Sequence, residues 1–177
     1  LWGRQAPLSN LSGLGFILIA SGRTAFALLG ALAAVWTYAA TVLTARSAAA
    51  VLPRFGRSFI LTVLSCFYAT LFHLVLSILS PVMAAEASLL ILLLPALFMS
   101  SGLWRRVEAS SIDGAVRRAL AEALIIGSIM VALALVREPF GFGSISVPGP
   151  RGITELLGSP FAADSAMRFV ASSSGAL

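Results

Sequence analysis

The longest uncharged stretch of the chain covers 28 residues, between Arg57 and Glu86. The hydrocarbon core of a bilayer is about 30 Å thick, and about 20 apolar residues of α-helix cross it. A surface helix of a soluble protein carries charged side chains on its solvent face. This stretch therefore predicts a membrane-spanning helix and places the chain among integral membrane proteins.

The same pattern recurs along the chain. Uncharged runs cover residues 24–45 and 87–104, residues 119–136 are interrupted only by Glu122, and residues 5–22 form a weaker run. Hydrophobic residues make up 59% of the chain and charged residues 11%, whereas soluble domains contain roughly 25% charged residues. The sequence thus predicts an all-α integral membrane fold with about five membrane segments.

The basic residues are 12 arginines that lie between the apolar runs and give a net charge of +5. Membrane topology and anionic headgroups explain arginines in these positions better than nucleic-acid binding does. We therefore expect a lipid bilayer around the chain and no nucleic-acid partner. Cys66 is the single cysteine, so an internal disulfide is excluded.

The arginines also predict an orientation, because an excess of basic residues marks the cytoplasmic side. If the segments alternate, four arginines fall on one side, namely Arg23, Arg137, Arg151 and Arg168. The other eight fall on the opposite side, namely Arg4, Arg46, Arg54, Arg57, Arg105, Arg106, Arg117 and Arg118. We expect a cytoplasmic N-terminus and an extracytoplasmic loop or tail over residues 137–177.

Two of the segments are short and interrupted. The first, about residues 8–22, is rich in glycine, and the fourth contains Pro95 and a weak helical stretch at residues 99–102. A pair of interrupted segments in corresponding positions is typical of inverted-repeat membrane proteins with broken helices. Residues 1–136 are thus predicted to form one membrane domain. Its inverted halves cover 8–45 and 87–136, with a long helix over 58–84 between them.

His73 and Glu122 are the ionisable residues within the predicted segments that invite a functional interpretation. His73 is either part of an ion or proton path or a neutral side chain bonded to a neighbouring helix. Glu122 is either an ion-path residue or an interfacial partner of Arg118, which lies four residues earlier. Cys66 and His73 are about 10.5 Å apart along a helix, so they are not expected to share a metal.

The remaining charged motif, Arg137-Glu138-Pro139, is interpreted as the ordinary end of the fifth segment, because a proline disfavours continued helix. The chain contains no phosphate-binding glycine loop, nucleophile elbow or pair of catalytic carboxylates. The residues by themselves therefore indicate no catalytic site.

Residues 95–109, which read PALFMSSGLWRRVEA, resemble a segment of the Rnf/Nqr family of membrane subunits. The family segment reads approximately P-L-I-x-T-N-C-x-V-x-G-R-x-E-A, and Pro95, Arg106, Glu108 and Ala109 match it. Further similarities lie at residues 15–20, Thr24, Gly30, Asp113-Gly114, Leu135–Glu138 with Gly141 and Gly143, and Ser174-Gly175-Ala176. The resemblance is diffuse and spans nearly the whole chain.

The family's paralogous subunits face each other in opposite orientations. Each gives two cysteines, one from each broken helix, to an iron–sulfur centre at the membrane midplane. The matching positions here are Phe16 and Ser101. Phenylalanine has no ligand atom, and serine is a poor substitute for a thiolate. The resemblance thus implies a chain that binds no cofactor alone, with iron–sulfur and flavin groups in partner subunits.

The resemblance implies a membrane subunit of an ion-translocating electron-transport complex in a bacterial inner membrane. This chain would be a scaffold or an ion-path element, and at most a non-catalytic subunit of a redox-driven translocase. The expected partners are other membrane subunits, including a paralogue of inverted topology. The alternative is a cluster-free relative that acts as a transporter or as the membrane component of another complex.

In the family, a motif similar to Ser174-Gly175-Ala176 precedes a sixth membrane helix. The resemblance therefore implies about 20 further apolar residues after Leu177, or a partner helix in that place. Either one would cover a face of the fifth segment.

Overall fold

A computed structural model of the chain describes residues 15–49, 56–103, 110–142, 144–149 and 152–158. After helical residues 15–20, its elements are α1 (Thr24–Ser47), α2 (Arg57–Leu79), α3 (Pro81–Ser100), α4 (Ile112–Phe142), β1 (Ser144–Gly149) and β2 (Gly152–Gly158). The predicted first segment, residues 8–22, is thus described only from residue 15 onward.

The four labelled helices are each long and apolar enough to cross a membrane. Their lengths are 24, 23, 20 and 31 residues, and about 20 residues suffice to cross the hydrocarbon core. Large apolar side chains are exposed on all four, such as Leu32, Phe67, Leu89 and Leu124. Such surfaces are stable in lipid, so the predicted all-α membrane fold is confirmed.

Side-chain contacts assign the helix ends to two opposite ends of the bundle. At one end, Arg46 at the end of α1 donates a hydrogen bond to the carbonyl oxygen of Ser110, just before α4. At the other end, the first residue of α1, Thr24, is bonded to Glu138 near the end of α4. We call these the Arg46 end and the Glu138 end. The first contact agrees with the predicted placement of residues 46–57 and 105–118 on one side as far as Arg46 and Ser110 are concerned; residues 50–55 and 105–109 lie outside the described part of the chain.

The long helix predicted over residues 58–84 ends earlier, at Leu79. Ser80 adopts an extended conformation, with φ −152° and ψ 94°, and its side chain accepts a hydrogen bond from the backbone N–H of Met83. Serine is a favoured N-cap residue, and proline is favoured at the first helical position. Ser80 and Pro81 therefore end α2 and start α3 with a one-residue reversal. The fourth segment begins at Pro81 rather than residue 87.

Helix α4 continues beyond Arg137, Glu138 and Pro139 to Phe142, so the predicted end of the fifth segment at residue 136 was wrong. A proline near a helix end removes only one hydrogen bond from the last turn. The charged side chains before it are buried against protein, so they do not have to leave the helix to reach water. At about 46 Å, α4 is longer than the hydrocarbon core is thick.

Part of the predicted extracytoplasmic tail is an antiparallel hairpin of β1 and β2. Its register pairs Ser144 with Gly158 and Gly149 with Gly152, with an irregularity between Ile145 and Ser146. The Ser80 hydroxyl donates to the carbonyl oxygen of Gly149 at 3.3 Å. The hairpin therefore lies at the Glu138 end, over the reversal between α2 and α3.

The tightest helix contact is the crossing of α1 and α4. A Cβ atom built on Gly127 would lie 2.8 Å from the Cβ of Ala31, so only glycine permits this approach. The buried core is rich in alanine along both helices, and small residues allow close packing in membranes.

Pro95, which was expected to interrupt the fourth segment, lies within continuous α3. The inverted relation of residues 8–45 and 87–136 stays a prediction.

Candidate functional site

The most deeply buried carboxylate in the described part of the chain belongs to Glu138, which is 1% exposed. Its Oε2 atom accepts hydrogen bonds from the backbone N–H of Thr24, at 2.7 Å, and from the Thr24 hydroxyl. Thr24 is the first residue of α1, and the preceding Arg23 provides no side-chain cap. Glu138 thus supplies a distant cap and places a negative charge at the positive end of the helix dipole.

The adjacent Arg137, 6% exposed, bonds to the C-terminal end of the preceding helical residues. Its Nη1 atom donates to the carbonyl oxygen of Leu18 at 3.0 Å and to the Ser21 hydroxyl at 2.6 Å. Leu18 belongs to the helical residues 15–20, whose final carbonyls lack partners within the helix. A cation is favourable at that negative end.

Arg137 and Glu138 therefore hold the two sides of one chain reversal, the C-terminal end of residues 15–20 and the N-terminal end of α1. We call Arg137, Glu138, Ser21 and Thr24 the polar clamp. Burial of these two charged groups costs less free energy than usual, because each of them is hydrogen-bonded to a backbone group at a helix end. The clamp fixes the first described helical residues against the end of α4.

The hairpin contributes a further layer to the polar clamp through Ser146. Its backbone N–H donates to the Thr24 hydroxyl oxygen at 3.1 Å, and its own hydroxyl accepts from the Ala25 N–H at 3.4 Å. The carbonyl oxygen of Ser146 lies against the same Thr24 hydroxyl. β1 and Glu138 thus together provide hydrogen-bond partners for the first residues of α1.

Arg23, between Ser21 and Thr24 of the polar clamp, contacts the end of α4. Its guanidinium carbon lies 5.0 Å from the centroid of the Phe142 ring, within the range of a cation–π interaction. The reversal that contains Arg23 is therefore attached to the last residue of α4 as well as to the polar clamp.

Phe16 and Ser101, which the sequence resemblance matched to the family's cysteine positions, lie in different environments. Phe16 is buried in the apolar core. The Ser101 hydroxyl donates to the carbonyl oxygen of Phe98 at 2.7 Å and accepts from the Leu103 N–H at 3.2 Å. Gly102 follows in a left-handed conformation, with φ +64°. Ser101 therefore shapes the end of α3.

Among the described residues, no group of three or more His, Cys, Asp or Glu side chains is arranged to hold a metal ion. Cys66 is exposed on α2. The donor set for a metal centre is thus not assembled within the described part of the chain. Whether the assembled protein carries a cofactor stays a prediction.

The Nε2 atom of His73 on α2 lies 3.1 Å from the carbonyl oxygen of Ala84 on α3. This is the helix–helix contact expected of a structural histidine. Glu122 is half-buried on α4, and Arg118 donates to the Ser110 hydroxyl at 3.0 Å. The pairing of Arg118 with Glu122, and an ion path through His73 or Glu122, stay predictions.

A groove of about 560 Å³ runs between α1 and α4 on the apolar surface of the bundle. It is lined mainly by alanine, leucine and valine, and none of its lining residues is titratable. Its one hydroxyl, that of Ser128, donates to the carbonyl oxygen of Leu124 at 2.7 Å. The groove therefore offers shape and apolar contact but no chemistry.

The sequence interpretation missed the polar clamp. Arg137 and Glu138 occur where a membrane segment commonly ends, and charge spacing alone does not distinguish a buried pair from a terminal one. The available signal was the similarity of Leu135–Glu138, Gly141 and Gly143 to a family motif, together with the register of Thr24. The contact between them joins residues 114 positions apart.

Comparisons of the chain with protein-family models, curated proteins and solved structures found no match.

Proposed function

We propose that this chain is a membrane subunit of an Rnf/Nqr-type ion-translocating electron-transport complex. It acts there as a scaffold or ion-path element without iron–sulfur ligands of its own. The observation that carries the proposal is the polar clamp. Two stretches that resemble the family, Leu135–Glu138 and Thr24, meet in one buried hydrogen-bonded unit. A fold-determining role of that kind gives a physical reason for a family to retain these residue types.

The scaffold role is supported by the two positions at which the family has thiolates. Phe16 contributes an apolar ring to the core, and the Ser101 hydroxyl is occupied by hydrogen bonds at the end of α3. A thiolate ligand needs an ionised sulfur that faces the iron. In this proposal, iron–sulfur and flavin groups belong to partner subunits, one of which is a paralogue of opposite orientation.

The proposed location is a bacterial inner membrane, with the Arg46 end in the cytoplasm and the Glu138 end outside. This orientation rests on the larger number of arginines in the loops at the Arg46 end. The hairpin and the polar clamp would then lie at the extracytoplasmic surface.

A second candidate is a cluster-free relative that acts as a transporter or as the membrane component of another complex. The observation that favours it is the replacement of both thiolate positions, because a chain without ligands is free to serve in a different assembly. The two candidates differ in the partners that they require.

The experiment is purification of the tagged chain from native membranes in a mild detergent, with identification of the co-purifying proteins. The expected result is a paralogous membrane subunit with two cysteines in broken helices, together with flavin and iron–sulfur subunits. An unrelated membrane protein with the same tag and a similar expression level is the control. Recovery of the chain alone, with solute transport after reconstitution in vesicles, contradicts the first candidate and favours the second.

A spectroscopic measurement tests the ligand claim separately. Visible and paramagnetic spectra of the isolated chain are expected to contain no cluster signal. A cluster in the complex whose signal changes in Ser101→Ala, while a matched Ser100→Ala variant keeps the original signal, would show that this chain contributes a ligand.

A further inference from the structure

Hydroxyl side chains on the labelled helices mostly bond to their own backbone. Eight of them donate to a carbonyl oxygen three or four residues earlier: Thr44, Thr62, Ser65, Thr70, Ser77, Ser88, Ser100 and Ser128. This local bond is the usual way for serine and threonine to satisfy a hydroxyl group inside an apolar helix.

Thr37 and Thr41 on α1 differ from this group. Both residues are fully buried, and neither Oγ1 atom has a hydrogen-bond partner among the described residues. A hydroxyl in an apolar interior loses free energy when its hydrogen bond is not made. Two such groups one helical turn apart are therefore an unusual feature of this bundle.

Both hydroxyls face the centre of the bundle. Thr37 and Thr41 follow Gly30 by seven and eleven residues, which puts them within about 20° of its direction on a helix of 3.6 residues per turn. Gly30 lies between α3 and α4, because a Cβ atom there would be 3.0 Å from Leu90 and 3.4 Å from Met130. The hydroxyls thus face the space between these two helices.

Their depth is set by the same helix geometry. Thr41 lies about 9 Å and Thr37 about 15 Å from the last residue of α1 at the Arg46 end. Thr44 lies closer to that end and carries the next hydroxyl group on α1, which is bonded to the backbone. The positions toward the Glu138 end on this face, Gly30 and Ala34, carry no hydroxyl.

Along the bundle, helix α3 ends near the depth of Thr37 and Thr41 on α1. The Tyr38 and Phe98 rings are in edge-to-face contact at 5.1 Å, and α3 ends two residues after Phe98, at Ser100. Helix α1 continues for nine residues beyond Tyr38. Thr41 therefore lies at the C-terminal end of α3 rather than along its side.

We propose that Thr37 and Thr41 line the deep end of a water-accessible path, which enters the bundle from the Arg46 end and is closed in this structure. In the closed state the two hydroxyls are packed without hydrogen-bond partners. In an open state, α1 separates from the end of α3, and water bonds to both hydroxyls. No charged side chain lies on this face of α1 between Gly30 and Thr41, and the ligand that we propose for the two hydroxyls is therefore a neutral one, water. This proposal does not depend on the proposed electron-transport role.

The test uses cysteine accessibility in membrane vesicles that contain the full chain and any partners. In a Cys66→Ser background, Thr37→Cys and Thr41→Cys are exposed to a small water-soluble methanethiosulfonate. Such reagents modify the thiolate, which forms in water and not in a dry interior. Both variants are expected to react at least ten-fold faster than two controls on the same helix. These are Ala34→Cys, which is buried beyond the end of the path, and the lipid-facing Leu32→Cys. Equal, slow reaction of all four overturns the proposal.

A second measurement uses the shape-conserving variants Thr37→Val and Thr41→Val. Removing a hydroxyl without a partner from the closed interior is expected to raise the Tm by a few degrees. Thr44→Val, which removes a backbone-bonded hydroxyl, is the matched control and is expected not to raise it. A decrease in Tm for Thr37→Val and Thr41→Val would show that these hydroxyls are already satisfied in the closed protein, which contradicts the proposal.

Discussion

At Glu138, the environment determines whether a buried charge stabilises or destabilises the protein. The carboxylate is almost fully buried, but it accepts two hydrogen bonds from the start of α1. Arg137 is occupied in the same way at the end of residues 15–20. Each charge thus compensates a helix end. Removal of Glu138 takes the acceptor away from the Thr24 N–H, whereas the Leu18 carbonyl oxygen keeps the Ser21 hydroxyl as a donor when Arg137 is removed.

We predict that Glu138→Ala lowers the free energy of unfolding by about 3 kcal/mol, because hydrogen bonds to charged groups contribute about 1.5–3 kcal/mol and the backbone N–H of Thr24 loses its acceptor. Thermal unfolding of the purified protein in detergent measures the effect. Glu86→Ala is the control, because Glu86 is exposed on α3 and surface substitutions usually change stability by at most about 0.5 kcal/mol. Equal effects of the two substitutions would show that the polar clamp does not stabilise the fold.

Prediction from the sequence was least complete for the contacts of individual side chains. Phe16 and Ser101 were located by their resemblance to family positions, but the bonds of Ser101 at the end of α3 were not foreseen. The partners of Glu138 lie more than a hundred positions away. No local pattern carries that information, because tertiary packing decides whether a charged pair at the end of an apolar run is buried.

At the scale of single elements, the crossing of α1 and α4 depends on Gly127. We predict that Gly127→Ala forces the helices apart and costs about 1–3 kcal/mol, the usual penalty of overpacking, because its Cβ would lie 2.8 Å from that of Ala31. Thermal unfolding again provides the measurement.

A double-mutant cycle identifies the contact behind that penalty. Ala31→Gly is expected to restore much of the stability lost in Gly127→Ala, because it removes the atom that clashes. Strictly additive effects of the two substitutions would place the cost elsewhere, since contacting residues show a coupling energy and independent ones do not.

The reversal between α2 and α3 depends on Ser80. We predict that Ser80→Ala costs about 1 kcal/mol, as for the loss of other N-caps, because the Met83 N–H and the Gly149 carbonyl each lose a partner. Ser88→Ala is the matched control on the same helix, because its exposed hydroxyl donates to the nearby Ala85 carbonyl within α3. Unfolding curves that coincide for the two variants would contradict a capping role.

Prediction of the elements from the sequence succeeded where the signal was hydrophobic length and failed at the ends. All four labelled helices fall on predicted apolar runs. Ser80-Pro81 was not recognised as a start signal because the apolar run continues through it without a charge. The hairpin was hidden in a tail rich in glycine, proline and serine, whose strands gain their stability from contacts with α1 and α3.

For the whole molecule, the arrangement of the helix ends is the part of the topology that the sequence predicted well. The loops after α1 and before α4 were predicted to lie on one side because two segments separate them. The contact of Arg46 with Ser110 places the end of α1 and the start of α4 at one end of the bundle. The orientation of that end in the membrane is a different matter. It depends on insertion during synthesis and on the charge of the loops, which packing within the bundle does not determine.

The final prediction concerns that orientation. In a Cys66→Ser background, Ser47→Cys lies at the Arg46 end and Glu155→Cys lies on the hairpin; both positions are exposed. With the Arg46 end in the cytoplasm, a membrane-impermeant maleimide added to intact cells is expected to label Glu155→Cys alone. Permeabilised cells should show labelling of both, which controls for the reactivity of Ser47→Cys. Labelling of Ser47→Cys alone in intact cells would reverse the orientation. Labelling of both from one side would contradict the separation of the two ends, because the helix between Thr24 and Ser47 is about 36 Å long and spans the hydrocarbon core.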